Sequence, residues 1–518
     1  MKKRFNTSGP CNSAKHFMLP TEKRCKGIMT LIDHEAYFVI HAARQSGKTT
    51  LIRDLVNKIN KEGNYYALYC SLESAHKVKE PEKGIPGIVK IIKRYIGINP
   101  LFQNFSFAIN ADYDDYMNVL VSSLNSFSRD LDKPLVILFD EIDCLENGTL
   151  IAFLRQLRDG YINRDMAPFV HAIGLIGMRN IRDYKVKIRE ETETLGSASP
   201  FNIVKKSMTL KNFTEQEVQN LLSQHTIESG QKFSSNVVKS IYYFTQGQPW
   251  LVNAVACEII EEILEYDYSK TIKTSYVNKA VQNITHRRDT HIDSLLERLN
   301  EKRVKKVMQP VLIGEIKVYN PLDDDFQYVI DLGLLKKEKS KLKISNPIYA
   351  EVVTRYLSHM AEDTIEDEQY PISTYFDNDR INMKKLLTDF QSFWRQNSAI
   401  WKEKYRYKEA APHLVLMAFL QRVINSGGHI HRELSTETKR LDLCIEFKRE
   451  KYPIELKLRY DKQTYTEGKK QIADYMDSLG CDEGWLIVFD QRKNISWKKR
   501  LFWRTATVRG LKIHTIGC

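Results

Sequence analysis

Residues 37–50, YFVIHAARQSGKTT, constrain this chain more than any other stretch. An apolar run ends at His41, a loop of small and polar residues comes after it, and Gly47-Lys48-Thr49 opens a segment in which Leu51, Ile52, Leu55 and Ile59 recur at helical spacing. Strand, tight loop and helix in that order read as a phosphate-binding loop. Successive backbone N–H groups converge on phosphate oxygens at the helix amino end, Lys48 reaches the β- and γ-phosphates, and the Thr49 hydroxyl ligates Mg²⁺. The nucleotide-binding set is Ala42, Arg44, Gln45, Ser46, Gly47, Lys48, Thr49 and Thr50, with ATP and Mg²⁺ as the expected cofactors. Ala42 stands where the pattern G-x-x-x-x-G-K-[ST] begins with glycine. Alanine fits there only with a negative φ and with room for its methyl group beside the phosphate.

A chain of 518 residues exceeds one core, and at about 150 residues per domain it holds roughly three or four. Its hydrophobic fraction of 42% and charged fraction of 28% are those of a soluble globular protein. No run approaches the ~18 apolar residues that span a bilayer, and the basic start MKKRFNTSGPCNSAKHFMLP lacks the apolar core of a secretory signal. These features place the protein in the cytoplasm, without a membrane partner. Eight scattered cysteines with no C-x-x-C pair argue against a zinc site, an iron–sulfur cluster or a disulfide framework. The net charge of +13 favours a polyanionic partner, although DNA, RNA and an acidic protein all satisfy charge alone.

Taken in order, residues 1–30 are rich in Gly, Pro, Asn and Ser and form an arm. From Ala36 the pattern alternates: FVIHA, the Leu51 helix, YYALYCSL, helical periodicity through 89–95 and 116–127, then the strands LVILFDE and FVHAIGLIG. Continuously apolar strands between helices imply a parallel sheet covered on both faces, a P-loop α/β core over 31–205. The third strand ends in Asp140, placed to hold the Mg²⁺ water shell, and Glu141, placed to polarise an attacking water. Hydrolysis also needs positive charge near the γ-phosphate, and Arg155, Arg158, Arg164, Arg179 and Arg182 come after these acids. Arg179, directly after a core strand, is the first choice as γ-phosphate sensor. Arg158 and Arg164 are candidates for a finger acting on a neighbouring subunit, set against the commoner solvated fate of an exposed helix arginine. After residue 202 the strand patterns cease and a helical lid occupies 206–290, with a capping box in TEQEVQNLLSQH and a helix break at Gly247 and Pro249.

The strings HAARQSGKTT, LVILFDEID, GMRNIRDYK, SASPFNI and TQGQPWLVNA together resemble the AAA-like ATP-binding proteins of bacteria and archaea related to the STAND NTPases, from Phe5 to about Tyr356. The resemblance implies that the turn Gly247 to Pro249 belongs to the lid, touches the nucleotide base and reports nucleotide state to the domain beyond the lid. Residues 291–360 have the layout of a winged helix, two helices and the lysine-rich hairpin LLKKEKSKLKIS, and NPIYAEVVTRYL matches the same family. Its lysines 336, 337, 339, 341 and 343 either contact a phosphate backbone or solvate a hairpin that only relays motion. The acidic stretch AEDTIEDEQYP begins a linker and helix over 361–400, where Leu386, Phe390, Phe393 and Trp394, with Trp401 just beyond, read as core.

Over 401–518 the chemistry changes. Asp442, Glu455 and Lys457 form the pattern D…E-x-K, and on a strand Glu455 and Lys457 share a face. Two carboxylates holding hard divalent ions beside a lysine suit phosphodiester hydrolysis, whereas E-x-K alone is commonly a solvated strand face. The string EAAPHLVLMAFLQRVINSGG…RLDLCIEF…IELKLR…QIADYMDSLG resembles the PD-(D/E)xK nuclease tails found on these same ATP-binding proteins. By that resemblance Gln471 and Tyr475 are a Q-x-x-x-Y pair facing the substrate strand, and Glu409 is the first-helix acid, with Glu433 as the alternative. Mg²⁺ is the expected metal, with Mn²⁺ as an alternative ion there, and DNA is the expected partner. The chain thus reads as a multidomain α/β protein: an ATP-hydrolysing switch, able to form a homo-oligomer, joined to a metal-dependent DNA endonuclease. Two other readings stay open: an ATP-switched DNA-binding regulator, and an oligomerising scaffold, each with a nuclease-like domain that does not cleave. By analogy alone the architecture suits anti-phage defence or mobile-element maintenance.

Overall fold

The computed structural model describes residues 3–20, 24–109, 115–178, 203–287, 290–312, 323–338, 341–362, 371–378, 380–404, 410–424, 428–436, 439–448, 450–459, 464–490, 492 and 495–518. Arg179, Arg182, Lys339 and Glu409 lie outside the described residues, as do the side chains of Lys341, Glu433 and Asp442.

The first half runs α1 (Ile28–Asp33), β1 (Tyr37–His41), α2 (Lys48–Glu62), β2 (Tyr66–Ser71), α3 (Pro81–Gly97), α4 (Val119–Asp130), β3 (Leu135–Asp140), α5 (Asn147–Ile162), β4 (Ala172–Gly177) and β5 (Val204–Thr209). The helices α6 (Glu215–Ser229), α7 (Ser235–Thr245), α8 (Pro249–Cys257), α9 (Thr274–His286), α10 (Thr290–Leu299), α11 (Lys302–Leu312) and α12 (Asp324–Asp331) come next. They lead to the hairpin β6 (Leu335–Glu338) and β7 (Lys341–Ile344), then α13 (Pro347–Glu362). The remainder holds β8 (Phe376–Asp377), β9 (Arg380–Ile381), α14 (Met383–Lys404), α15 (Ala410–Ile424), β10 (Gly428–Thr436), β11 (Lys439–Phe447), β12 (Glu450–Arg459), α16 (Thr464–Leu479), β13 (Glu483–Asp490), α17 (Trp497–Arg500), β14 (Phe502–Val508) and β15 (Leu511–Gly517). The chain divides into two compact units, Met1–Leu295 with Val318–Tyr349, and Leu296–Lys317 with Ala350–Cys518.

In the first unit five parallel strands lie in the order β2-β3-β4-β1-β5. Every residue of β1 is buried, because successive side chains go to opposite covered faces. Phe38 and Ile40 pack with Leu51, Ile52 and Ile59 of α2. Tyr37 and Val39 pack on the other face with Ile88, Val89 and Ile92 of α3. That double coverage fixes the direction of α2, and with it the loop at its amino end.

One strand corrects the sequence expectation. Strand patterns were expected to cease after residue 202, yet β5, VKKSMT, pairs in parallel with β1. It lies at the sheet edge with mostly exposed side chains, so it carries no apolar run to betray it.

In the second unit six strands lie in the order β10-β11-β12-β13-β15-β14. β10, β11 and β12 form an antiparallel meander, α16 crosses over, and β13 returns parallel to β12. β15 is parallel to β13, and β14 closes the edge antiparallel to β15. α16 covers one face, with Ile472 and Met476 against Leu486, Val488 and Ile513. On the other face Phe390 and Trp394 of α14 meet Phe489 at ring separations of 6.1 and 5.3 Å, and the expected core residues Leu386, Phe390, Phe393 and Trp394 are all buried.

Candidate active sites

The loop between β1 and α2 places its ligand groups by backbone conformation. Its left-handed residues are Gln45 (φ 54°) and Gly47 (φ 87°), and Ala42 is not among them, which meets the backbone condition for an alanine at that position. Gly47 caps α2, so the free N–H groups of the first helical turn face the loop interior. The Lys48 ammonium is buried and donates to the Ala42 and Ala43 carbonyls, 2.9 Å each. Burial lowers its pKa, opposed by Glu141, Asp143 and Asp140. Ser46 is buried with its hydroxyl unpartnered, and His41 at the strand end is buried with an unpartnered Nδ1.

β3 carries the acids to the same end of the sheet. The Thr49 hydroxyl donates to Asp140 Oδ2 at 2.7 Å, and the Tyr69 hydroxyl donates to the same oxygen at 3.2 Å. Glu141 comes next in a left-handed conformation (φ 57°), its N–H donating to Asp140 Oδ1 at 3.0 Å. Burial raises the Glu141 pKa, Asp140 adds to the rise and Lys48 opposes it. Asp143, unassigned from the sequence, accepts from the Met178 backbone N–H at the end of β4.

A cavity of about 60 Å³ adjoins the loop, lined by Cys11, Phe17, Arg24, Gly47, Pro249 and Asn253 among others. The amino-terminal arm forms one wall. Cys11 N–H donates to the Thr50 hydroxyl at 2.9 Å, Trp250 Nε1 donates to Thr7 O at 2.8 Å, and Gln224 bonds both backbone groups of Met18. The lid forms the other wall. Gly247 (φ 70°) does not line the cavity: it lies so close to Phe213 that a Cβ there would stand 1.8 Å from the Phe213 carbonyl oxygen. Phe213 in turn carries the Arg24 guanidinium 4.6 Å above its ring. Asn253 donates Nδ2 to Pro249 O at 2.8 Å, which leaves Oδ1 as a buried acceptor without a partner. The lid also reaches the loop itself, through Gln248 Nε2 to Gln45 O at 3.4 Å. Arg24 and Asn253 were missed in the sequence, since neither belongs to a motif with fixed spacing.

Other expected residues serve elsewhere. The Arg44 guanidinium donates to the Ser294 hydroxyl. Arg164 is bound to the Glu35 carboxylate at 3.2 Å and the Glu35 carbonyl at 3.1 Å, beside the amino end of β1 and away from the loop. Arg155 is exposed on α5, and Arg158 has a buried Nε without a partner. Of the hairpin lysines, Lys336 donates to Gln246 of the lid at 2.7 Å and Lys343 pairs with Glu338.

In the second unit Glu455 is buried on β12 and pairs with Lys457 at 2.7 Å. α16 passes close above them: a Cβ on Gly468 would lie 3.4 Å from Lys457 Cγ. One turn further along, Gln471 has a buried, unpartnered Oε1, and Tyr475 is buried. Asp442 lies in β11, next to β12 in the sheet. His413 on α15 was not singled out in the sequence, although it stands at helical spacing from Glu409; burial and the nearby Lys457 ammonium lower its pKa to about 4. Among the described residues no group of three or more His, Cys, Asp or Glu side chains could hold a metal ion, and no helix among them is long and apolar enough to cross a membrane. The eight cysteines are all free.

A covered parallel sheet, a phosphate-binding loop at the amino end of α2 and a strand-end acid pair whose Asp140 is bonded to the loop threonine define a P-loop nucleoside triphosphatase. Residues 8–355 match the model of the AAA-like domain family; the chain belongs to that family, and this part of it is a P-loop ATPase. Residues 381–493 match a domain of unknown function (DUF8371). Among solved structures the chain is similar to the Walker-type ATPase of Pyrococcus abyssi, with 14% identity, 67% of this chain and 99% of that chain covered, and a TM-score of 0.47. It is also similar to the RuvB Holliday junction branch migration motor of Thermotoga maritima, with 14% identity, coverage of 64% and 93%, and a TM-score of 0.34. A third is Cdc6p from Pyrobaculum aerophilum, with 13% identity, coverage of 62% and 88%, and a TM-score of 0.33. A comparison with curated protein sequences gave no match.

Proposed function

We propose that the chain is an ATP-operated switch that licenses a metal-dependent DNA endonuclease, an activity suited to anti-phage defence or mobile-element biology. The donors around the loop fit ATP and Mg²⁺. Gly47 opens the phosphate cradle, Thr49 and Asp140 offer hard oxygen atoms, and Asn253 Oδ1 is an orphaned acceptor that suits the amino group of adenine and repels the carbonyl oxygen of guanine. When bound, the nucleotide supplies the reactive phosphoanhydride and Mg²⁺ neutralises its charge. Lys48 leaves the Ala42 and Ala43 carbonyls to meet the phosphates. Glu141 accepts the proton of the attacking water at its carboxylate, and Arg179 senses the γ-phosphate. Through Phe213, Gly247 and Gln248 the lid is tied to both the cavity wall and the loop, which gives it a physical means of tracking nucleotide state. Oligomer formation on ATP belongs to the same proposal.

The nuclease half rests on one observation: Glu455 is buried on the strand that receives the crossover helix, with Lys457 2.7 Å away on the same face. A solvated strand face would not bury a carboxylate, since an unneeded charge there is costly. The order α15, β10, β11, β12, α16, β13 supplies the layout that such a site uses. Asp442 and Glu455, with Glu409 or Glu433, would hold Mg²⁺ or Mn²⁺, the donors being hard oxygens. That metal would neutralise charge at the scissile phosphate. Lys457 orients the attacking water, and Gln471 and Tyr475 position the strand. Incubating linear duplex DNA with the full-length protein and Mg²⁺, beside Asp442→Ala and Lys457→Ala, tests this half. Cleavage lost in both variants is expected, and DNA left intact by the wild-type protein with Mg²⁺ and with Mn²⁺ overturns it.

A further inference from the structure

Residues 491–518 hold eight Lys and Arg and no Asp or Glu, so this short stretch alone accounts for eight of the net charge of +13. It forms α17 and the edge pair β14–β15, and most of it lies beyond the family match that ends at residue 493. Part of the charge is neutralised internally: Arg509 pairs with Asp474 and Lys512 with Glu483. Lys498, Lys499 and Arg504 are exposed and have no carboxylate partner among the described residues.

The arginines form a row that begins beside the Glu455–Lys457 pair. Arg459, two residues beyond Lys457 on β12, lies 3.5 Å from Asp490, and Arg492 forms a bond of 2.7 Å to the same carboxylate. One carboxylate therefore braces two guanidinium groups side by side. Arg459 also lies 4.4 Å over the Tyr465 ring, Tyr465 lies 6.0 Å from Phe502, and Arg504 lies 4.9 Å over Phe502. Arg500, next to Lys499 in α17, donates to the Arg492 carbonyl at 2.9 Å, which ties the short helix to this row. Arg504, exposed and held extended on the Phe502 face, presents its guanidinium in the geometry that meets phosphate oxygens.

We propose that Lys498, Lys499 and Arg504 form a track for the DNA phosphate backbone at the sheet edge, on the side toward which Arg459 and Arg492, braced by Asp490, extend from the Glu455–Lys457 pair. It holds the duplex flanking the cleaved bond without reading its sequence. This rests on the reading of the second unit as a DNA nuclease. An edge strand can also carry cations merely to block strand pairing, and charge reversal separates the two roles, since glutamate blocks pairing equally well and repels phosphate.

The test measures anisotropy of a fluorescein-labelled blunt duplex DNA with the full-length protein in Ca²⁺, across a salt series. The combined variant Lys498→Glu, Lys499→Glu, Arg504→Glu is expected to weaken binding roughly tenfold or more and to reduce the salt slope by about 2.7, three contacts at about 0.9 each. An unchanged thermal unfolding profile in that variant, with the transition of the second unit retained, shows that the unit carrying the substitutions is folded, and Lys498→Arg, Lys499→Arg, Arg504→Lys is expected to bind as the wild type does. Wild-type binding with the same affinity and slope in the reversed variant overturns the track and leaves the nuclease reading standing. A wild-type protein that binds no DNA overturns both. Duplex RNA displacing the DNA at equal concentration overturns the assignment to DNA.

Discussion

Glu141 shows how much a single position in this protein concedes to chemistry. It is a non-glycine residue in a left-handed conformation, a strain of order 1 kcal/mol or more that persists where function holds it. Its carboxyl group is also pushed above the usual glutamate range by burial and then by Asp140. Because the folded pKa is raised, ionisation costs the fold stability as pH climbs from the ordinary glutamate range through the raised value. Glu141→Gln removes that charge at constant shape. It is expected to raise the melting temperature slightly at neutral pH, to keep ATP binding and to lower hydrolysis by about 10²-fold or more. Hydrolysis in the wild type should fall on acidification at a pH above the ordinary glutamate pKa; a rate that holds steady down to pH ~4 would remove Glu141 from the role of base. Asn253→Ala removes the orphaned acceptor by the cavity, and ATP is expected to lose about tenfold of its advantage over GTP in competition binding. An unaltered ratio takes base selection away from Asn253.

At the scale of elements, legibility tracked burial and periodicity. β1, β3 and β12 were readable because apolar runs ended in chemically distinctive residues, His41, Asp140 and Glu455 with Lys457. β5 was not, because an edge strand with exposed side chains has no pattern to read. The same reason hid β14, whose residues are at most half-buried. The Gly247–Pro249 turn was located as a helix break, but its function in packing was not: the sequence cannot show that Phe213 O occupies the space a Cβ would need. Gly247→Ala should therefore destabilise the protein by about 2 kcal/mol or more, and the rise in melting temperature on adding ATP should shrink with it. A full ATP-dependent rise in a less stable protein would separate the turn from nucleotide binding. The cavity could not be read from the sequence, since its wall joins Cys11, Arg24 and Asn253 from distant parts of the chain. In the second unit the strand-borne pair Glu455–Lys457 was legible from its two-residue spacing, whereas the basic row was not, since Asp490 of β13 braces Arg459 and Arg492, and the rings of Tyr465 and Phe502 link Arg459 to Arg504, only when β12, β13 and β14 are laid into one sheet.

At the scale of the whole molecule, the proposal joins a P-loop ATPase to a proposed nuclease site in one chain, with the nucleotide state of the first licensing the second. Family membership makes the first part a P-loop ATPase, and the residues around Glu455 supply the motive for the second activity. Lys48→Ala removes the cation proposed to meet the phosphates without touching the second unit's sequence. Any loss of DNA cleavage in that variant therefore reports coupling, provided that DNA binding by the basic row is retained. The most direct measurement is the rate of plasmid cleavage by the full-length protein in Mg²⁺, with and without ATP, for the wild type and for Lys48→Ala. A wild-type rate that depends on ATP, and a Lys48→Ala rate that does not respond to it, is the expected result. Cleavage at one rate in all four conditions would contradict the coupling.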